Sequence, residues 1–476
     1  MPLSARRSRL LGPQPLAFLV VLLLALLLYG PVLHGFFILD DFVWLECARQ
    51  TLHDPGNVFN LQISGFFRPL SHLVFAGVYA VSPTPAAFHL AVWLLHALCA
   101  ALLAQLVLLL SRDRWLAFFA ALLFGLNMLY AEVMVWVSAL NEPLAGAMAL
   151  ATLIAWLHHL RRGGWGSYLL ALAFLALALG TKESTVSLLP LMGLLHLWLG
   201  HRGELREGPR VAWFRAGLRY LPPVLLLAAY LAMQLGFQRQ NLLVQGGRYA
   251  PGLHAVPRLA LNLWQLVRFI WPPLVAAALC ALMQRRGRWG LRRAPAGALH
   301  LALQRSSPAP GASLWLPALL LSAAALLMLP YCMFHGGVMA SRYFYGPALV
   351  GGIAAALGLR LCATLPAAAA RIMALLALSG VAIHAAVVSA SHTRRYRDIA
   401  DEVQTFVLAV AKVPPTDAPA PVLDSVLGGQ HLQAALRLYH PSHRVVLRAE
   451  RRGVNQCQPG PLWRWDREVR ELRRLR

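Results

Sequence analysis

The chain has 476 residues, 58% of them hydrophobic and only 13% charged, with 43 Lys and Arg against 19 Asp and Glu for a formal charge of +24. A soluble domain of this length needs more charge to cover its surface, so that class is excluded. A nucleic-acid binder would share the basic balance, but here the basic residues sit mainly in loops between apolar blocks and in the tail. There they orient membrane helices and attract anionic headgroups, so no nucleic-acid partner is expected.

In chain order, Arg6, Arg7 and Arg9 precede an apolar run that continues to Leu33 without a small-residue cleavage signature, which predicts an uncleaved first span at 15–33. A loop to about residue 85 follows, and its short apolar stretch at 70–81 predicts a helix lying on the membrane surface. Further spans are predicted at 86–110, 115–130, 143–160, 168–180, 184–199, 220–237, 259–283, 314–334, 345–359 and 372–390. That makes about eleven, judged against the roughly 20 apolar residues a bilayer requires.

The short loops fix an orientation. Arg112 and Arg114, Arg161 and Arg162, the arginines of 202–219 and 285–305, and Arg360 fall on one side, cytoplasmic by the positive-inside rule. The alternate loops carry Asp40, Asp41, Glu46, Asp54, Glu132, Glu142 and Glu183 and face outward. The expected fold is an all-α polytopic membrane domain over 1–391 with an outward α/β tail over 392–476. Within it, 36–85 is the first outward loop, and 284–312, rich in Arg, Gly, Pro and Ser, is a flexible cytoplasmic loop. The tail's core elements are expected at Val422-Leu423, 432–438 and 445–447. Arginine far outnumbers lysine and Ala and Leu dominate, a composition associated with high-GC bacteria, so a bacterial inner membrane is expected. The six cysteines form no CxxC pair, which leaves a zinc or redox site unsupported. Cys47, Cys332 and Cys457 would share the outward side, where a disulfide could form.

The candidate chemistry lies in the outward loops. Asp40 and Asp41 stand directly after the first span, framed by Phe37 and Phe42, where partial desolvation can turn a carboxylate into a useful base. Glu132 and Trp136 are four apart, so on a helix they share a face: one accepts sugar hydroxyls and the other stacks on the ring. Asn141 and Glu142 end the same loop. Lys182, beside Glu183 in a tight apolar hairpin, is costly there unless paired or used on a phosphate. Arg342, between two spans and followed by Tyr343 and Tyr345, offers the planar fork that suits phosphate. Arg68 is a weaker candidate of the same kind. Each has a bland reading as a solvated pair, a local ion pair or an interfacial anchor.

The ordered set resembles the GT-C glycosyltransferases, in the branch of the protein O-mannosyltransferases and the membrane portions of tetratricopeptide-containing O-mannosyltransferases. The similar pieces are Leu39-Asp40-Asp41-Phe42, Phe67-Arg68-Pro69-Leu70, Tyr130-Ala131-Glu132 with Trp136-Val137-Ser138, Thr181-Lys182-Glu183-Ser184 and Ser341-Arg342-Tyr343-Phe344-Tyr345. The resemblance implies a GT-C fold and transfer of a sugar, usually with inversion, from a polyprenyl-phosphate donor to a lipid, glycan or protein acceptor. It implies Asp40 as the catalytic carboxylate, Asp41 as its neighbour and Glu132 as the second-loop acid. Lys182 and Arg342 fall where donor phosphate is held, with Arg68, Trp136, Asn141, Glu183, Tyr343 and Tyr345 as accompanying substrate contacts. After Ser138 the chain departs from the family, reading Ala139-Leu140-Asn141-Glu142 where Gly-Arg/Gln-Asn/Ala-Asp/Glu is common. A monophosphate donor makes a metal less necessary, so no metal and no cofactor is expected. The rival readings are a transporter or flippase of a lipid-linked precursor, which would place ionisable groups near the bilayer midplane, and an inactive scaffold relative.

Overall fold

The computed structural model describes residues 12–59, 65–205, 212–238, 252–269, 275, 312–333, 339–362, 367–410, 412, 420–423, 425–427, 429–440, 445–447 and 463–474. Arg6, Arg7 and Arg9, residues 284–311 of the loop expected at 284–312, Cys280, Cys457 and the end of the span expected at 259–283 lie outside them.

The apolar blocks are helices: α1 (Pro13–Tyr29), α2 (Asp41–His53), α3 (Pro69–Val81), α4 (Pro85–Ser111), α5 (Arg114–Gly125), α6 (Ala131–Val135), α7 (Asn141–Arg162), α8 (Trp165–Leu179), α9 (Leu188–His201), α10 (Ala212–Gln238), α11 (Ala255–Phe269), α12 (Ala312–Cys332), α13 (Tyr345–Cys362) and α14 (Ala367–Val410). In lipid a helix satisfies its backbone polar groups internally, so Leu- and Ala-rich runs adopt it. Proline sits at the first turn of α1, α3 and α4, where its missing N–H costs nothing. Asp113 caps α5 by accepting from the N–H groups of Trp115 and Leu116.

Among the described residues six helical stretches are long and apolar enough to cross a membrane: Pro13–His34, Pro85–Ser111, Arg114–Val135, Val137–Arg162, Gly217–Gly236 and Ile372–Val410. Pro69–Val81, Trp165–Leu179 and Leu316–Cys332 are shorter apolar helices. The chain is thus a multi-pass membrane protein. The helix α3 occupies the stretch expected at 70–81 and packs on α2, with Trp44 stacked on Phe75 at 4.5 Å.

Helix α4 is central and packs against α1, α5 and α7. Its buried face carries polar groups that bond across the bundle. His89 meets the Tyr396 hydroxyl at 3.1 Å, the Trp93 indole donates to the Met134 carbonyl at 3.0 Å, and His96 meets the Tyr345 hydroxyl at 2.9 Å. Glycine sets how closely α13 approaches α5: a Cβ on Gly352 would sit 2.6 Å from the Ala120 carbonyl oxygen.

The boundary expected at 391 falls inside α14, whose 44 residues run on from the apolar zone without a break and carry the tail. The tail elements lie where the sequence puts them, as β1 (Ala420–Leu423), α15 (Gly429–Tyr439) and β2 (Val445–Leu447), joined by β3 (Trp463–Asp466) and β4 (Glu471–Arg474). The sheet order is β2-β1-β3-β4, with β1 parallel to β2 and β3 and with β3 antiparallel to β4. Helix α15 is the crossover that a parallel β1–β2 pair requires. It lies against α2, with Tyr439 packed on the Phe36 and Phe42 rings at 5.5 and 6.3 Å. The tail is therefore seated on the first loop. Cys47, Cys99 and Cys332 are buried free thiols.

Candidate functional site

The two adjacent aspartates face different surroundings. The chain leaves α1 through a 3-10 turn and reaches Leu39 with φ +44°, a left-handed conformation uncommon for a side chain of that kind. Asp41 then turns inward and is fully buried. Its Oδ2 accepts from the Ile38 N–H at 3.0 Å, and its Oδ1 accepts from the Ser138 N–H at 2.8 Å and from the Ser138 hydroxyl. Burial pushes its carboxyl up to about 7, against the opposing pull of those hydrogen bonds.

Asp40 occupies the N-cap position of α2 yet makes no capping bond. Its carboxylate, 40% exposed, is turned to the tail, where Oδ1 lies 2.7 Å from His431 Nε2 on α15. An aspartate released from capping and held by one imidazole is a carboxylate that a substrate can reach.

The segment from Ala131 to Glu142 ties the remaining candidates together. Besides Ser138 on Asp41, it carries Glu132, which accepts from Arg342 Nη1 at 2.6 Å and from the Arg342 backbone N–H at 3.1 Å. The Arg342 guanidinium lies 4.8 Å from the Trp136 ring centre and 4.7 Å from that of Tyr343. Glu132, Trp136, Arg342 and Tyr343 are thus one cluster, with the Arg342 and Glu132 side chains each 26% exposed. At the far end of the segment Glu142 binds Lys182 Nζ, each side chain only 5% exposed. Lys182 also lies 5.4 and 5.0 Å from the centres of the Tyr331 and Tyr343 rings, which stack on each other at 4.4 Å.

The local Lys182–Glu183 pair that adjacency suggests is not made. Glu183 instead accepts two bonds from Arg68, at 3.0 and 2.8 Å. Arg68 is held in register because Leu70 N–H donates to the Gly180 carbonyl and the Ser71 hydroxyl to the Thr181 carbonyl, at 2.9 and 3.0 Å. Each candidate cation therefore faces a carboxylate, and Arg342 is the most open of the three. A guanidinium has five donors, so Arg342 can keep Glu132 and still offer N–H groups to a phosphate.

Asn141 is 3% exposed and donates to the Ser138 carbonyl at 3.0 Å, bracing the turn that holds Asp41. Tyr345 stands apart from this group. It is 1% exposed and packs with His96, Phe124 and Tyr130, a core role. Sequence reasoning missed His431, Tyr331 and the partnership of Glu142. Glu142 left a signal, a carboxylate opening an apolar span. His431 left none, because it lies 391 residues from Asp40 on an ordinary amphipathic helix.

No family model and no curated protein matches this chain. Among solved structures the chain is similar to ArnT from Cupriavidus metallidurans in the apo state, with a TM-score of 0.50 and 15% identity over 90% of this chain and 85% of that one. At that identity the likeness shows the fold. The shared fold is a helical membrane domain with a small sheet-bearing tail.

Proposed function

We propose that this chain is a membrane glycosyltransferase that moves a sugar from a polyprenyl-phosphate donor to an acceptor hydroxyl on the outer side of a bacterial inner membrane, with inversion. The observation that carries this reading is the division of labour between Asp41, sealed by Ser138 and Ile38, and Asp40, exposed and aligned by His431. Asp40 takes the proton of the acceptor hydroxyl as its oxygen attacks the anomeric carbon. The bond from that carbon to the lipid phosphate oxygen breaks, and the phosphate leaves with the electron pair. Arg342 meets the growing charge, and Lys182, locked on Glu142 behind the tyrosine pair, holds the geometry beside it. Glu132 and Trp136 offer a hydroxyl acceptor and a stacking face beside the transferred sugar.

The motif order favours a relative of the protein O-mannosyltransferases. The acceptor is a lipid, glycan or protein hydroxyl. The test is transfer from a radiolabelled polyprenyl-phosphate hexose in membranes with matched protein levels. Wild type transfers label and Asp40→Asn does not. Full transfer by Asp40→Asn, with loss in Glu132→Gln, would move the base to Glu132.

A further inference from the structure

A groove of about 460 Å³ runs between α1 and α14, lined by Leu27, Leu28 and Pro31 on one side and by Ala390, Thr393, Arg394, Arg397, Asp398 and Asp401 on the other. The α14 residues recur at three- and four-residue steps, so they share one face of the helix. Both helices change character at this level. The α14 stretch from Ile372 to Thr393 carries no Lys, Arg, Asp or Glu, and Arg394 is the first charge after it. On the other side α1 ends its apolar run at Tyr29 and turns through Gly30 and Pro31. The groove therefore straddles the edge of the apolar zone.

Its polar groups are left open. Thr393 is 7% exposed, and its hydroxyl oxygen has no hydrogen-bond partner. Arg394 and Asp398, and Arg397 and Asp401, are four apart and could pair along the helix, yet neither pair closes among the described residues. Placing the arginine on the N-terminal side is the weaker arrangement for such pairs. Below the groove, Leu23 and Leu27 expose 64% and 77% of their surface, an apolar wall for a chain.

We propose that this groove binds one phospholipid whose headgroup carries a phosphate and a primary ammonium. Thr393, Arg394 and Arg397 take the phosphate, and Asp398 and Asp401 take the ammonium. The order along α14 fits: the carboxylates lie four and seven residues beyond Arg394 and one and four beyond Arg397, about 1.5–10 Å farther out along the helix axis. A phospholipid leaving the bilayer presents its phosphate first and its ammonium second. The acyl chains descend along Leu27 and Leu23. On the opposite face of α14, Tyr396 donates to the Phe36 carbonyl at 2.6 Å, so a lipid held here steadies the helix that braces the first loop.

The test uses the full chain, purified in detergent, stripped of lipid and offered equimolar dioleoyl phosphatidylethanolamine, phosphatidylglycerol and phosphatidylcholine, with retention read by native mass spectrometry. The ethanolamine lipid should be retained above the other two. Arg394→Gln with Arg397→Gln should lower that retention about tenfold or more, the scale of lost charge-assisted bonds. Asp398→Asn with Asp401→Asn should shift the preference to phosphatidylglycerol. Both doubles alter exposed side chains, and their melting without lipid should match wild type, which separates lost binding from lost folding. Equal retention of the three lipids, or ethanolamine-lipid retention unchanged in both doubles, overturns the proposal. So does displacement of that lipid by a polyprenyl monophosphate, which carries no ammonium.

Discussion

At the junction of the first loop and the tail, Asp40 leaves 40% of its side chain exposed and is held by one imidazole, whereas Lys182 and Glu142, beside the tyrosine pair, are each 5% exposed and locked on each other. The difference separates two uses of charge in one protein. A buried pair has already lost its hydration, so it sets geometry and field, and breaking it leaves an uncompensated charge. An exposed carboxylate with one partner keeps its hydration and can exchange that partner for a substrate hydroxyl. The Arg342–Glu132 pair, at 26% exposure on both sides, lies between these extremes and suits a ligand that comes and goes.

Substitutions break this contrast at different points. The largest effect is expected from Asp40→Asn, which removes the charge and keeps the size. Sugar transfer should fall by about two to four orders of magnitude, the usual range for loss of a general base, while the protein accumulates normally. Near-normal transfer would place the chemistry elsewhere. Lys182→Met should act on folding instead, costing about 3–5 kcal/mol because Glu142 is stranded. Thermal melting in detergent reads this, and adding Glu142→Leu should recover most of the loss. If Lys182→Met melts like wild type and only its donor use suffers, the pair is a binding element. Arg342→Gln should raise the donor KM about tenfold with a smaller change in kcat, on the scale of one lost charged hydrogen bond. Arg342→Lys should restore only part of it, since a point charge does not replace a planar fork.

The smallest effect concerns Asp41. An ordinary aspartate has a pKa near 3.8, and burial raises this one to about 7. Between those values the folded chain holds a proton that the unfolded chain releases. Its contribution to stability is therefore largest at low pH and is lost as pH rises through about 7. Asp41→Asn should flatten this slope in melting curves taken from pH 4 to pH 7. An unchanged slope would mean that Asp41 is ionised and solvated in the folded chain.

Much of this was legible in the sequence. Length and hydropathy find the spans because lipid leaves the backbone no alternative to a closed helix. Short loops between spans keep Glu132, Lys182 and Arg342 near helix ends, so their gathering followed from the pattern. Partner choice did not. Adjacency paired Lys182 with Glu183, but the fold gives Lys182 to Glu142 and Glu183 to Arg68, because the hairpin turn points consecutive side chains in different directions. Tyr345 matched a motif and lies in the core beside His96. The tail was legible as strand, helix and strand, but its seat on α2, and with it His431, depends on packing across the length of the chain. The run-on of α14 past residue 391 escaped a hydropathy criterion, which stops where charge begins although the helix does not.

In the proposed reaction an exposed, tail-aligned Asp40 takes the acceptor's proton as the sugar leaves its lipid phosphate. The most direct measurement is mass spectrometry of lipid-linked sugars and envelope glycans from a strain lacking this chain, complemented with wild type or Asp40→Asn at equal levels. The polyprenyl-phosphate sugar should accumulate and one glycan, lipid or protein should lose a single sugar, restored by wild type and not by Asp40→Asn. Unchanged donor and glycan pools in the deletion strain, or full restoration by Asp40→Asn, would contradict it.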